Sequence, residues 1–305
     1  MNETGKTYTR RPFIALALSA LSTGLGHIYC GRITKGIILF LISFVFAPVI
    51  GMAVTGMSST FFLILIIVSV LLSVGIWVYA MIDAYWLAKK TSVNYKLKDY
   101  NRWYVYIVFI AATMIFPGNL CYTIRTHLIA PYKIPSVSMR PNVLKGDHLF
   151  LNKAAYKRKG PNRGDVVVFI QPNKRHMEYI KRIVALPGET IEIRDNRLII
   201  NGQMLFYQEV ERQELDTIKG QLDGKVYEET NGDVSYKIML KEEGKEAANF
   251  KKLTVPNGHC FVLGDNRGDA EDSRDFGPVP LRDIIGKVAY IYYPAESWTR
   301  FGKFE

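Results

Sequence analysis

Residues 36–82 contain no charged side chain, and that one fact removes most soluble architectures from consideration. About 20 apolar residues cross a bilayer core as a helix, so the run is too long for one span. It fits two, at 36–53 and 61–80, joined by an uncharged loop around 55–60. A further uncharged run, 103–124, makes another span, with Trp103 and Tyr104 where interfacial aromatics are expected. Pro117 and Gly118 are expected to kink it or end it early.

Positively charged residues orient these spans. Arg10, Arg11, Arg32 and Lys35 flank the beginning, and Lys89, Lys90, Lys96, Lys98 and Arg102 separate the second and third spans; both groups are expected on the cytoplasmic side. The last span then leads outward and delivers everything after it to the external face. Residues 13–31 are apolar but carry Ser, Thr and Gly, with basic charge at both ends, which predicts a re-entrant or interfacial segment. A cleavable leader fits this beginning poorly, because further spans follow and no short apolar region with a small-residue exit is evident.

Charge divides along the same line. Residues 1–131 hold 11 Lys/Arg against 3 Asp/Glu, whereas residues 132–305 hold 28 against 25. The basic excess belongs mostly to the membrane half, where it reads as an orientation signal and not as a nucleic-acid patch. Of Cys30, Cys121 and Cys260 only the last lies in the soluble half, so no disulfide forms within it. The histidines, His27, His127, His148, His176 and His259, show no metal-ligand spacing; no metal and no other cofactor is expected.

The soluble half predicts β structure. Residues 165–169, 179–186, 190–193, 198–200 and 260–263 are short β-branched or apolar runs between turn residues, and Asn201-Gly202 is a tight-hairpin signal. Residues 208–252 are rich in Glu, Lys, Gln and Gly; they predict a more exposed insertion, distant from the chemistry.

If 179–186 is a strand, Lys181 shares an apolar face with Tyr179, Ile183 and Ala185. A lysine there loses hydration as a cation, which lowers its pKa. At the reference value of about 10.4 only ~0.04% is neutral at pH 7, whereas a fall to about 7.4 leaves roughly a quarter neutral and able to act as a base. Taken alone, such a lysine more often packs its stem and snorkels to water. Ser136 and Ser138 of IPSVSMRP (134–141), taken alone, are an ordinary loop after a proline. A serine hydroxyl becomes a nucleophile when a neighbour accepts its proton, and a neutral lysine amine can be that neighbour.

Four segments decide between these alternatives. IPSVSMRP at 134–141, YIKRIVALPG at 179–188, GHCFVLGDNR at 258–267 and DSRDFGPVP at 272–280, in that order and after a membrane anchor, closely resemble bacterial type I signal peptidase, the membrane protease that removes secretory leader peptides. The resemblance covers roughly residues 103–294. It implies a predominantly β catalytic domain of the signal peptidase-type antiparallel fold, preceded by an α-helical transmembrane region. Ser138 is then the nucleophile and Lys181 the general base, working through an acyl-enzyme. The Ser136 hydroxyl and the Ser138 N–H would hold the oxyanion. Ile134, Pro135, Leu149, Val168 and Ile180 would contact an extended substrate with small residues before the cut. Asp265, Asp272 and Arg274 would form an ion-pair network holding the base-bearing strand, with Asn266 in the same support and Ser273 near it. One position departs from the pattern: where the family often has a serine that bonds the catalytic lysine, this chain has Ala270, so either water or Ser273 would take over, or Lys181 is oriented differently.

The implied partners are signal peptide-bearing precursors, membrane lipid and the secretion machinery. The implied location is a bacterial cytoplasmic membrane, multi-pass, with the catalytic domain on the external or periplasmic face. The expected organisation is a membrane module over 1–102, an anchor over 103–130 and a catalytic domain over 131–305 with a polar insertion at about 203–254. Residues 22–36, closed by Asp83-Ala84-Tyr85, also resemble the small two-span TM2-type modules, which implies an accessory role; equally, the glycines there let helices pack closely. Two rival functions stand beside the protease: a catalytically silent membrane scaffold of the same fold, and a Ser/Lys self-cleaving regulator. The latter needs a DNA-reading domain where this chain has spans.

Overall fold

The computed structural model describes residues 7–43, 59–91, 95–211, 215, 222–240 and 249–304, and the chain divides into two compact units, 1–126 and 127–305. In the first, β1 (Thr7–Tyr8) precedes α1 (Pro12–Leu21), α2 (Leu25–Tyr29), α3 (Ile33–Ser43) and α4 (Ser59–Lys90); β2 (Tyr95–Lys96) pairs antiparallel with β1, and α5 (Trp103–His127) follows. Helix α1 opens on a proline, whose missing N–H is one that a first turn leaves unpaired in any case. A Cβ on Gly24 would lie 2.1 Å from the Gly36 carbonyl oxygen, and one on Gly26 would lie 2.1 Å from that of Ala15. The glycines of 22–36 thus let α1, α2 and α3 approach to backbone contact. His27 is fully buried with Nε2 2.6 Å from Asp83 Oδ2, and the same oxygen accepts from Lys35 Nζ at 2.7 Å.

Among the described residues, two stretches, Ile67–Lys90 and Trp103–His127, are long and apolar enough to cross a membrane. Their outward side chains, among them Ile67, Leu71 and Trp86 on α4 and Val108 and Met114 on α5, are exposed, an arrangement that water penalises and hydrocarbon does not. Helix α5 runs unbroken past Pro117 and Gly118 to His127, so it does not end early: proline removes a single backbone bond, and adjacent turns carry the helix on. Of the expected span at 36–53, residues 44–53 lie outside the described residues, as does most of the loop at 55–60. Residues 13–31 form α1, a turn and α2, with α1 packed along α4.

The second unit is built of antiparallel strands: β3 (Ile129–Lys133), β4 (His148–Asn152), β5 (Val166–Ile170), β6 (Glu178–Ala185), β7 (Thr190–Arg194), β8 (Arg197–Ile200), β9 (Gln203–Met204), β10 (Phe206–Glu209), β11 (Lys225–Asn231), β12 (Val234–Leu240), β13 (Phe250–Thr254), β14 (His259–Leu263), β15 (Val279–Pro280), β16 (Ile284–Tyr293) and β17 (Gly302–Lys303), with one short helix, α6 (Ser273–Phe276). The main sheet runs β15-β14-β6-β5-β16-β4-β3, with β17 added to β16; β13-β7-β8-β9 and β10-β11-β12 form two smaller sheets. Asn201 and Gly202 both adopt positive φ, 53° and 81°, between β8 and β9, the geometry that the Asn-Gly pair supplies for a tight hairpin.

The pleat sorts the β5 and β6 side chains into two cores. Ile180, Val166 and Val168 pack with Ile134, Met139, Leu149 and Leu151; Val167, Phe169 and Ile183 pack with Cys260, Val262 and Val279. The polar insertion departs from expectation. Val226 and Met239 are buried against Leu144, the Met239 N–H donates to the Asp265 carbonyl at 2.8 Å, and the Arg267 N–H donates back to the Met239 carbonyl at 2.9 Å. Although its composition is polar, the β11–β12 pair buries side chains on both faces, Val226 and Met239 on one and Glu229, Tyr236 and Ile238 on the other, and it is docked on the Gly264–Arg267 turn instead of standing away from it.

Candidate active site

The loop between β3 and β4 carries Ser136 and Ser138, and the centre of β6 carries Lys181 opposite Val167 of β5. Lys181 Nζ lies 2.9 Å from Ser138 Oγ and 3.0 Å from the Ile180 carbonyl oxygen, with both residues buried. Ser136 Oγ is 3.3 Å from Ser138 Oγ. Two hydroxyls and one amine, read from segments some 40 residues apart in sequence, therefore meet at one point.

Burial sets the chemistry of the amine. Only 3% of Lys181 is exposed, and loss of hydration drags its pKa down to about 8 from the ordinary 10.5, against the pull of Asp272, Asp265 and Glu271 and with the help of Arg274. At that value about a tenth of the amine is neutral at pH 7, less than the quarter considered from the sequence but some two hundred times the fraction for a solvated lysine.

The turn after β14 fixes the serine. Asn266 donates its backbone N–H to the Ser138 carbonyl at 3.1 Å and its side-chain amide to the Val137 carbonyl at 3.3 Å. Gly264 passes so close that a Cβ would sit 2.6 Å from the Ser138 carbonyl oxygen and 2.3 Å from Ala270 Cβ; no larger residue fits there. Asp272 accepts from the Gly264 N–H at 3.0 Å, caps α6, and receives both Nε and Nη2 of Arg274 at 2.8 Å.

The expected single network of Asp265, Asp272 and Arg274 is in fact two. Asp265 does not pair with Arg274: its two oxygens accept from Arg182 Nε and Nη2 at 2.7 Å each, and Asn142 donates to it at 2.7 Å. Alternation explains this, because Arg182 leaves β6 on the face opposite Lys181, where it also stacks 4.2 Å from the Tyr236 ring centroid. A third buried pair was not foreseen. Arg267 donates twice to Glu229 of β11, at 2.7 and 2.8 Å, while Tyr207 and Tyr236 donate to the same carboxylate. The signal that the sequence does carry belongs to Arg182, an arginine beside Lys181 in an apolar strand, which demands a buried acid; Arg267 lies in the turn after β14, where nothing in the sequence points to Glu229.

Ser273 does not replace the serine absent at Ala270. Its Oγ accepts from the Val262 N–H at 3.0 Å, and the Ile180 carbonyl takes the second bond of Lys181. Ile134, Leu149, Val168 and Ile180 form one buried cluster with Met139; Ile134 and Pro135 also line an open hollow of about 810 Å³, together with Lys133, Arg140 and Lys145. Among the described residues no group of His, Cys, Asp and Glu is placed to hold a metal ion.

Residues 101–293 match the family model described as "Signal peptidase, peptidase S26". The chain is similar to signal peptidase I of Pseudomonas aeruginosa, 32% identical over 57% of this chain and 67% of that protein, and to signal peptidase I of Aquifex aeolicus, 34% identical over 56% and 78%. Signal peptidase I of Rickettsia typhi is 31% identical over 61% and 81%.

Proposed function

As a member of the signal peptidase family, peptidase S26, this chain is a membrane-anchored serine endopeptidase that removes signal peptides from precursor proteins, and we propose that it does so with Ser138 as nucleophile and Lys181 as general base. The observation that carries the assignment is the 2.9 Å separation of Lys181 Nζ from Ser138 Oγ inside a dry site.

In the neutral lysine, one N–H donates to the Ile180 carbonyl, and the nitrogen lone pair is left to accept the Ser138 O–H. Oγ attacks the scissile carbonyl as its proton passes to Nζ. The carbonyl electron pair moves onto oxygen, where the Ser136 hydroxyl and the Ser138 N–H stabilise it. Collapse expels the amine of the mature protein, which takes the proton from the Lys181 ammonium, and leaves the leader as an ester on Ser138. Lys181, neutral again, removes a proton from water, and hydroxide attack releases the leader and regenerates the serine. No step calls for a cofactor.

Beyond this chemistry, residues 1–102 are assigned to a multi-pass accessory module, 103–130 to the anchor and 131–305 to the catalytic domain, which faces the outside of a bacterial cytoplasmic membrane. Precursors with small residues before the cut are preferred, contacting Ile134, Pro135, Leu149, Val168 and Ile180; membrane lipid and the secretion machinery are the remaining partners. The basic clusters before α3 and after α4, with the two spans expected at 36–53 and 61–80 between them, support this orientation. Cleavage of a purified precursor by wild type, Ser138→Ala and Lys181→Met tests the dyad: both variants should be inactive, and cleavage by either at the wild-type rate rejects it. Digestion of the catalytic domain by protease added outside spheroplasts tests the orientation.

A further inference from the structure

The first unit carries a hollow for which the peptidase chemistry has no use. It measures about 720 Å³, and its lining combines the cations Arg32, Lys35 and Lys98 with Tyr100 and the aliphatic Ile38 and Leu87. Its charge is unbalanced. Among the described residues no acid lines it: Asp83 Oδ2 already accepts from both His27 and Lys35, and Asp99, between Lys98 and Tyr100 in sequence, is exposed and not among the lining residues. Lys98 Nζ and the Tyr100 hydroxyl both donate to the Gly31 carbonyl, at 3.3 and 2.5 Å, which fixes them at the rim, and Arg32 is exposed beside them.

Position says what such a hollow meets. Leu87 lies in the last turn of α4, just before Lys89 and Lys90 end it, and Lys35 lies in the first turn of α3. A membrane-crossing helix ends at the headgroup layer, so the cations sit where lipid phosphates are. From the rim, Ile37, Ile38, Leu41 and Ile42 of α3 are exposed in sequence, at the spacing that places them on one helical face. Cations at one end and an aliphatic stripe leading away match an amphiphile, whereas a free inorganic anion would use only the first.

We propose that this hollow binds an anionic phospholipid of the surrounding bilayer, with Arg32 and Lys98 on the headgroup phosphate and the exposed face of α3 along an acyl chain. The proposal rests on the reading of α4 as a membrane span and gives the accessory module a ligand. Each basic residue near an anionic lipid surface contributes about fivefold in affinity.

Native mass spectrometry of the full chain in neutral detergent, with phosphatidylglycerol and phosphatidylcholine of identical acyl chains at equal concentration, is the test. Wild type should retain phosphatidylglycerol in preference, by at least about fivefold. Arg32→Gln and Lys98→Gln should each reduce that preference about fivefold, and Arg32→Lys should keep it, while all three variants cleave precursor at the wild-type rate. Equal retention of the two lipids overturns the proposal, as does a preference unchanged in both glutamine variants. Displacement of the lipid by inorganic phosphate also overturns it, by marking a free-anion site. Release of the chain from membranes by alkaline carbonate would sink the span reading along with the proposal, whereas loss of headgroup preference in a carbonate-resistant chain sinks the proposal alone.

Discussion

Replacing Lys181 with methionine should abolish cleavage and yet make the protein harder to unfold. In the folded chain burial brings the lysine to about 8 from its ordinary 10.5. Holding the proton there at neutral pH therefore costs about 3 kcal/mol, at roughly 1.4 kcal/mol per tenfold in proton affinity. Methionine fills the same space without that cost but loses the bonds to Ser138 Oγ and the Ile180 carbonyl, about 1 kcal/mol each. The net gain is about 1 kcal/mol in favour of the variant. Between about 8 and 10.5 the unfolded lysine keeps a proton that the folded one has lost, so the wild type gains stability as pH rises through that window. The advantage of the variant is thus complete below pH 8 and shrinks toward pH 10.5. Urea unfolding of both proteins in detergent from pH 7 to 10 measures this difference. In parallel, kcat/KM of the wild type on an Ala-x-Ala peptide should rise about tenfold from pH 7 to 9, with unit slope below the bend near 8, because the neutral fraction grows from about a tenth to about nine-tenths. A bend near 10, or a methionine variant that is less stable at pH 7 by a margin independent of pH, refutes the argument that burial tunes this amine.

Three further outcomes follow from the site. Ser136→Ala should lower kcat by about 10²-fold with little change in KM, since its hydroxyl acts on the oxyanion and not on the bound peptide; an unchanged kcat removes Ser136 from that role. Glu229→Leu leaves Arg267 buried without its carboxylate and should cost about 3–5 kcal/mol in unfolding free energy, whereas the double variant with Arg267→Met should recover much of it. Gly264→Ala should depress activity and stability together, because its Cβ would lie 2.6 Å from the Ser138 carbonyl oxygen; wild-type kcat/KM in that variant would show that the serine loop yields without consequence.

Much of this was legible from residue order. The strand β6 and the face of Lys181 follow from alternation in YIKRIVAL, and the hairpin at Asn201-Gly202 from its turn chemistry. Ion-pair assignments were not, because the partner of a buried charge is set by tertiary approach: Asp265 could have met Arg274 or Arg182, and the sheet brings it the second. The docking of residues 225–240 on the Gly264–Arg267 turn was hidden for a related reason. Their composition is polar, but both faces of the β11–β12 pair are buried, Glu229 with Tyr236 on one and Val226 with Met239 on the other, and composition does not report which polar residues are covered.

Met239 joins the insertion to the catalytic turn through its main chain, giving an N–H to Asp265 and accepting one from Arg267. No side-chain substitution at 239 short of proline touches those links, and proline removes only the N–H donated to Asp265, so point mutation at 239 is a blunt tool for weakening the enzyme. Deletion is another matter. An engineer who trimmed the domain to a minimal protease by excising β11 and β12 would also unfasten the segment from which Asn266 grips the serine loop, and would harvest a soluble-looking product with a slack nucleophile.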